Sequence, residues 1–343
     1  MKTTASVRKH FAARAIVSVG LVALLGFATP ARAEMEKTTM AQTPAIVAFL
    51  GAYIAQDAGI WHDDGLDVKV VYLQGAASVN GVIAGSVDFA LSGSDALTRA
   101  AAHGQKLLAL AALNNQAGQI TVLRKELAAA AHFDPSKPLA ERAKVLAGRT
   151  IAVGGVGSVA DVFLKVIAHE AGIPPSGITI ATSSPFDLIA AFSRKAYDGI
   201  SFSMPYPLQL VDDGSAVIIV DGTRNEPKDL MPVAAGLLMT RPQICVDHRS
   251  LCEKMGHSMV QAVTFLRERP DESKAILKKR FPQLNDAVVQ QAYDGVLRMT
   301  QSPPTVTAVA LANGDKMNDE AGLLKPEDRV KSYDGLFTNE YLK

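Results

Sequence analysis

Short apolar runs of strand length alternate along this chain with longer stretches in which apolar residues recur at helical spacing. Strand-like runs fall at 45–49, 66–72, 87–91, 107–113, 120–123, 150–153, 178–181, 199–202, 217–220 and 234–240. In "SVDFALSGSDALTRAAAHG" the first half alternates with a period of two, whereas Ala96, Ala100 and Ala101 in the second half repeat as on a helix. Helical patterns fill most gaps between the runs, so the chain reads as α/β with largely parallel sheets. From Arg249 onward the pattern is helical, with Pro270-Asp271-Glu272 opening one helix and "LNDAVVQQAYDGVLRM" forming another. The segment "HFDPSKPLAERAKVLAGR" reads as a polar surface connection.

An internal echo organises these elements. With the numbering shifted by 110, Val68 and Val70 fall on Ile178 and Ile180, Asp88 falls on Asp198, and residues 92–96 fall on 202–206. The strand–loop–helix units "IVAFLGAYIAQDAGI" and "IAVGGVGSVADVFLKVIAHEAGI" precede the two copies and both end in Ala-Gly-Ile. Such a repeat predicts two similar lobes. Ligands of open α/β sheets sit beyond the carboxyl ends of the strands, so two facing lobes define one cleft. The turns that would meet there are 50–53, 74–78, 92–95, 114–116, 154–158, 182–186 and 203–206, nearly all rich in Gly, Ser, Thr, Asn or Gln.

Composition narrows the class. Lys2, Arg8, Lys9 and Arg14 precede an apolar run at 15–27, and Ala31-Arg32-Ala33 supplies small residues at the two positions read by a signal peptidase. Residues 1–33 are therefore expected to be a signal peptide cleaved after Ala33, and the mature protein to reside in the periplasm. The apolar run is shorter than the ~20 residues that span a bilayer. Removing residues 1–33 takes away five of the 35 Lys and Arg and no acid, leaving 30 basic residues against 34 acidic and a net charge of −4. Neither a nucleic-acid partner nor an anionic membrane surface is expected from that balance.

Catalytic and metal motifs are sparse. Neither H-x-x-x-H, C-x-x-C nor G-x-S-x-G occurs, and the seven histidines are scattered, so no metal, no cofactor and no catalytic residue is assigned. Gly155-Val156-Gly157-Ser158-Val159-Ala160 satisfies G-x-G-x-x-A, yet the next strand runs into Thr182-Ser183-Ser184 and lacks the acid that holds a dinucleotide ribose. What survives is a helix beginning near Ser158 whose first N–H groups suit an oxyanion, or a tight turn at Gly157 with a simple cap at Ser158. Cys245 and Cys252 are the only cysteines. In an oxidising compartment they are expected to pair across a loop between strand and helix; were one helix to include both, the i, i+7 separation of about 10.5 Å would forbid the bond and leave two buried thiols.

The stretches "GIWHDDGLDVKVVYLQGAASVNGVIAGSVDFALSGSDALTRAAAHGQKL", "LAGRTIAVGGVGSVADVFLKVIAHEAGI" and "AYDGISFSMPYP" resemble the periplasmic substrate-binding proteins of ABC importers for nitrate, taurine and aliphatic sulfonates, a group that includes pyrimidine-precursor proteins of thiamin biosynthesis. The resemblance covers most of residues 45–240. It implies the type 2 periplasmic-binding fold, two lobes with a ligand cleft between them, lobe one being 34–121 plus 235–343 and lobe two 122–234. Many relatives carry Pro-x-Tyr where this chain has Gly51-Ala52-Tyr53, and the thiamin-pyrimidine synthases carry a cysteine-rich cluster that Cys245 and Cys252 do not form.

Together these readings give a monomeric, non-enzymatic solute-binding protein that captures a small organic anion, a sulfonate or a carboxylate, aromatic acids included, and delivers it to an inner-membrane permease and its ATPase. An enzyme or precursor synthase using the same cleft is the alternative, and delivery to a signalling receptor is a further one. The candidate ligand-binding residues are Gly51, Tyr53, Gly75, Ala76, Ser92, Ser94, Asp95, Asn115, Gly157, Ser158, Ser183, Ser203, Met204 and Tyr206. Phe49, Phe186 and Phe202 flank the same turns, at positions that core packing would also suit.

Overall fold

The computed structural model describes residues 35–343; the signal peptide expected at 1–33 lies outside the described residues. Ten strands form two five-stranded sheets: β1 (Glu36–Gln42), β2 (Leu66–Tyr72), β3 (Phe89–Ser92), β4 (Leu108–Ala112), β5 (Gln119–Arg124), β6 (Thr150–Val153), β7 (Thr179–Thr182), β8 (Gly199–Ser203), β9 (Ala216–Asp221) and β10 (Leu237–Thr240). The first sheet has the order β2-β1-β3-β10-β4 and the second β7-β6-β8-β5-β9, so each strand of one has a counterpart at the same place in the other. β1 runs parallel to β2 and β3, and β6 runs parallel to β7 and β8. β10 and β5, the strands by which the chain changes sheets, each run antiparallel to both neighbours. β5 pairs in the second sheet from Gln119, so the crossing lies just ahead of the 121/122 boundary expected from the sequence.

The internal repeat has a hydrogen-bonding basis. The Asp88 carboxylate accepts from the Thr39 backbone N–H at 2.9 Å, and the Asp198 carboxylate accepts from the Thr150 backbone N–H, also at 2.9 Å. Each acid thus fastens the start of its sheet's central strand to a neighbour, β3 to β1 and β8 to β6. The hydroxyls of Thr38 and Thr39 also donate to Asp88, at 3.0 and 2.8 Å.

The same bonds correct the first strand. The strand expected at 45–49 is instead a 3-10 turn at Val47–Phe49 continuing into the helix Leu50–Asp57, and the true strand is the more polar "EKTTMAQ". An apolar run buried on every side does not declare by its period whether it is strand or helix. Val47, Leu50 and Ile54 are completely buried, and the turn and helix belong to the core on that side of the first sheet.

After β10 the chain builds the helices Arg249–Glu268, Pro270–Arg280, Asp286–Met299 and Ala308–Glu320. Proline occupies the first turn of Pro270–Arg280, and the Asn285 side chain caps Asp286–Met299 by accepting from Val288 N. Ala308–Glu320 lies against the helix Ser94–Ala102: a Cβ at Gly314 would overlap Ser94 Oγ. Cys245 lies within a helix, Pro242–Asp247, rather than in a loop. That helix breaks at His248 (φ −132°, ψ 59°) before Arg249–Glu268 begins. The break folds Cys245 back to a Cα separation of 5.5 Å from Cys252, and the two sulfurs are bonded.

Candidate functional site

The carboxyl ends of β1, β3, β6 and β8 converge on one cavity, joined by the opening residues of the reversed strand β5. The first-sheet wall includes Thr43 after β1, Gly75 and Ala76 after β2, and Ser92 and Asp95 after β3. The second-sheet wall includes Gly154, Gly157 and Ser158 after β6, Phe202 and Ser203 at the end of β8, and Gln119 at the start of β5. Ile46, Ala48 and Phe49, from the misread first turn, add an apolar side. The walls approach closely, with the Gly75 Cβ position 4.0 Å from Ser158 Cβ.

Asp95 is the only acid or base in the lining among the described residues. It stands in the first turn of Ser94–Ala102, is 2 % exposed, and its Oδ2 has no hydrogen-bond partner. Burial pushes its carboxyl above the ordinary carboxylate range, against the opposing pull of Arg99 and of backbone hydrogen bonds. Arg99 holds its nearest nitrogen 3.7 Å from Oδ2, because its donors go elsewhere: Nη1 to Asn318 Oδ1 at 2.7 Å and Nη2 across the cleft to the Gly157 carbonyl at 3.1 Å. Gly93 makes room for the carboxylate, since a Cβ there would overlap Asp95 Oδ1.

On the opposite wall Ser158 caps the helix Val159–Glu170, its Oγ accepting from Asp161 N at 3.3 Å. Asp161 Oδ2 in turn accepts from Gly157 N at 2.8 Å and from Lys165 Nζ at 3.0 Å. The pair forms a reciprocal capping arrangement that occupies the Gly157 N–H. Val159 and Ala160, the first two helical residues, also line the cavity.

Of the fourteen residues singled out from the sequence, Gly75, Ala76, Ser92, Asp95, Gly157, Ser158 and Ser203 line this cavity. Ser183 lies in an adjoining recess at the rim with Gly75, Ala76 and Gly154. The other six are absent from the lining; five of them are buried and Asn115 is half-buried. Gly51 packs towards Leu113, Tyr53 accepts from Ile46 N at 3.3 Å and meets Phe281 edge-on, and the Ser94 hydroxyl donates to the Ala310 carbonyl. The Asn115 backbone N–H donates to the Met299 carbonyl, Met204 packs against Gly295, and Tyr206 donates to the Ala45 carbonyl at 3.1 Å. Burial pushes the Tyr53 and Tyr206 phenols well up, so both stay neutral. Gln119 and Thr43 escaped the sequence reading; Gln119 becomes visible once β5 is seen to enter the sheet in reverse, which puts its first residue at the cavity.

Among the described residues no cluster of three or more His, Cys, Asp or Glu could hold a metal ion, and no helix is long and apolar enough to cross a membrane.

Several solved structures share this architecture. The alkanesulfonate-binding protein SsuA from Xanthomonas axonopodis pv. citri, bound to MOPS, is 19% identical over 87% of this chain and 96% of its own, with a TM-score of 0.66. The periplasmic aliphatic sulphonate binding protein SsuA from Escherichia coli is 18% identical, covering 87% of this chain and 92% of its own, with a TM-score of 0.62. The periplasmic nitrate-binding protein NrtA from Synechocystis is 16% identical over 76% of this chain and 70% of its own, with a TM-score of 0.60. At these identities the likeness establishes the fold, that of the periplasmic solute-binding proteins. No curated protein sequence matches the chain. The NMT1/THI5-like family model matches residues 47–273, and the chain accordingly belongs to the NMT1/THI5-like family.

Proposed function

We propose that this protein is the solute-binding component of an ABC importer: it captures a small organic acid, a sulfonate or carboxylate, in the periplasm and hands it to a membrane permease and its ATPase. No bond is made or broken. The observation that carries the reading is the cavity lined from both sheets, with Asp95 and Ser92 on one side and Ser158, Gln119 and Ser203 on the other. A solute touching both walls stabilises the arrangement that brings them together, in proportion to its contacts with each. Its acidic end would find the Ser158 hydroxyl and the backbone N–H groups of Val159 and Ala160, where the helix terminus adds a favourable field. The similar folds described as sulfonate- and nitrate-binding support an anionic solute.

A thermal-shift screen of residues 34–343 against sulfonates, aromatic and aliphatic carboxylates, nitrate and pyrimidines tests this. A ligand present at about 100 times its dissociation constant raises stability by roughly 2.7 kcal/mol, which moves the unfolding midpoint visibly. Stabilisation by acids supports the reading, and a flat response across the screen contradicts it.

A further inference from the structure

The helix Ala308–Glu320 belongs to both sheets. Its Leu311 sits in the apolar core against the first sheet, whereas Met317, less than two turns further on, sits in the core against the second. The next residue, Asn318, is completely buried, and both ends of its amide are engaged. Nδ2 donates to the Asp95 carbonyl at 2.7 Å and to Thr98 Oγ1 at 3.2 Å, and Oδ1 accepts from Arg99 Nη1 at 2.7 Å.

Asn318 thereby aims Arg99 over the cleft. The Asp95 carboxylate, 3.7 Å from Nη1, supplies the counter-charge, and Nη2 donates to the Gly157 carbonyl on the second-sheet wall at 3.1 Å. Arg99 does not itself line the cavity, so it reaches the far wall beside the place of the solute and not through it. The turn it meets is already fixed from its own side: Gly157 N donates to Asp161 Oδ2 at 2.8 Å and Ser158 N to the Gly155 carbonyl at 3.2 Å. Arg99 grips the peptide that leads into the helix Val159–Glu170. The walls also meet through Val47 N and the Met204 carbonyl, and through the Tyr206 hydroxyl and the Ala45 carbonyl, each at 3.1 Å. Those bonds are neutral, and a bond made by a full charge is roughly twice as strong.

We propose that Arg99 is a latch that holds the two walls together before a solute arrives, and so sets the affinity for every solute by the same factor. The inference rests on the solute-binding reading above and adds a positioning residue that touches no solute. When only a fraction of the protein is competent to bind, the apparent Kd is the intrinsic Kd divided by that fraction. With closed and open arrangements comparably populated, losing the latch lowers their ratio by about tenfold or more and raises Kd by about fivefold or more.

Spin labels at Tyr72→Cys and Phe186→Cys, exposed positions outside the latch on the first-sheet and second-sheet sides, report the separation of the walls without any ligand. Calorimetry with propanesulfonate and with benzoate reports affinity. Unliganded wild type is expected to show the short distance of the probe-bound protein beside a longer one. Arg99→Met is expected to lose the short distance and to weaken both probes by the same factor. Should Arg99→Met fail to fold, Arg99→Lys decides: it keeps a cation beside Asp95 but lacks the fork that joins Asn318 to Gly157, and it should shift the distances the same way. Unliganded variants with the wild-type distances, or a loss of affinity confined to one probe, would overturn the latch while leaving solute capture standing. If neither probe binds, the solute-binding reading fails for these acids, and the unliganded distances alone uphold or overturn the latch.

Discussion

Replacing Gly93 by alanine separates a role of Asp95 in binding from a role in holding the fold. Gly93 has φ −97° and ψ 162°, an extended conformation open to any residue, so the backbone accepts the change. Alanine also restricts the unfolded chain, which favours the folded state by about 0.4–1 kcal/mol at a compatible site. Against this, the new methyl overlaps Asp95 Oδ1 and comes within 3.1 Å of Val159 Cγ2 across the cleft. The carboxylate must swing off its position, at about 0.5–1.5 kcal/mol for a displaced rotamer. These contributions nearly cancel, and global stability should stay within about 1 kcal/mol of wild type. Affinity should not. Losing a hydrogen bond to a charged group costs about 1.5–3 kcal/mol, a factor of roughly ten to one hundred in Kd. Urea unfolding followed by the fluorescence of the buried Trp61 gives the first quantity, and calorimetry with the tightest probe gives the second. Unchanged affinity together with a stability loss above about 2 kcal/mol would show that Asp95 supports the fold and not the solute.

Three further outcomes follow from the same geometry. Replacing both Cys245 and Cys252 by alanine opens a link with a sequence separation of 7, for which the chain-entropy relation gives about 2.5 kcal/mol; an unchanged denaturation midpoint would contradict a disulfide in the native protein. Ser158→Ala should cost about 1 kcal/mol through loss of the cap on Asp161 N, and should weaken solute binding as well if the hydroxyl serves the solute; lost stability with normal affinity would reduce Ser158 to a cap. Burial opposes ionisation of Asp57, but Arg280 at 2.6 Å and Lys279 at 3.1 Å more than reverse this and hold its carboxyl below the ordinary range. The pair therefore stabilises fully above the unfolded carboxyl pKa of about 3.9 and fades as pH falls through the lower folded value. Asp57→Asn should be less stable than wild type at neutral pH and converge with it in acid, and a gap that persists there would refute the assignment.

Nine of the ten strands, the two-sheet repeat and four of the turns at the cavity, 74–78, 92–95, 154–158 and 203–206, were legible in the sequence, because strand ends rich in Gly and Ser stand out against apolar runs; the turns at 50–53 and 114–116 do not reach its lining. β1 was not. Its polar residues Thr38 and Thr39 are held by the carboxylate of Asp88, about fifty positions away, a partner no local pattern announces. Within a correctly placed turn, the sequence also does not say which side chain faces the cavity. Ser92 and Asp95 line it, whereas Ser94 between them is drawn to the Ala310 carbonyl by a helix from the far end of the chain. Met204 and Tyr206 turn inward for the same kind of reason, each engaged by Gly295 or by Ala45. Asp95 and Asp88 look alike in sequence; only the partners around them make one a strand fastener and the other a candidate ligand group.

Capture between the two walls is tested most directly by a distance measured across the cleft. Tyr72, at the end of β2, and Val156, in the loop after β6, are 50% and 73% exposed and accept spin labels through Tyr72→Cys and Val156→Cys while Cys245 and Cys252 stay bonded to each other. Pulsed electron resonance on the doubly labelled protein, with and without a saturating amount of the tightest probe, reports how far apart the walls stand. The predicted result is a shift to a single, shorter and narrower distance when the solute is bound. An identical distance distribution with saturation verified by calorimetry would contradict capture by closure.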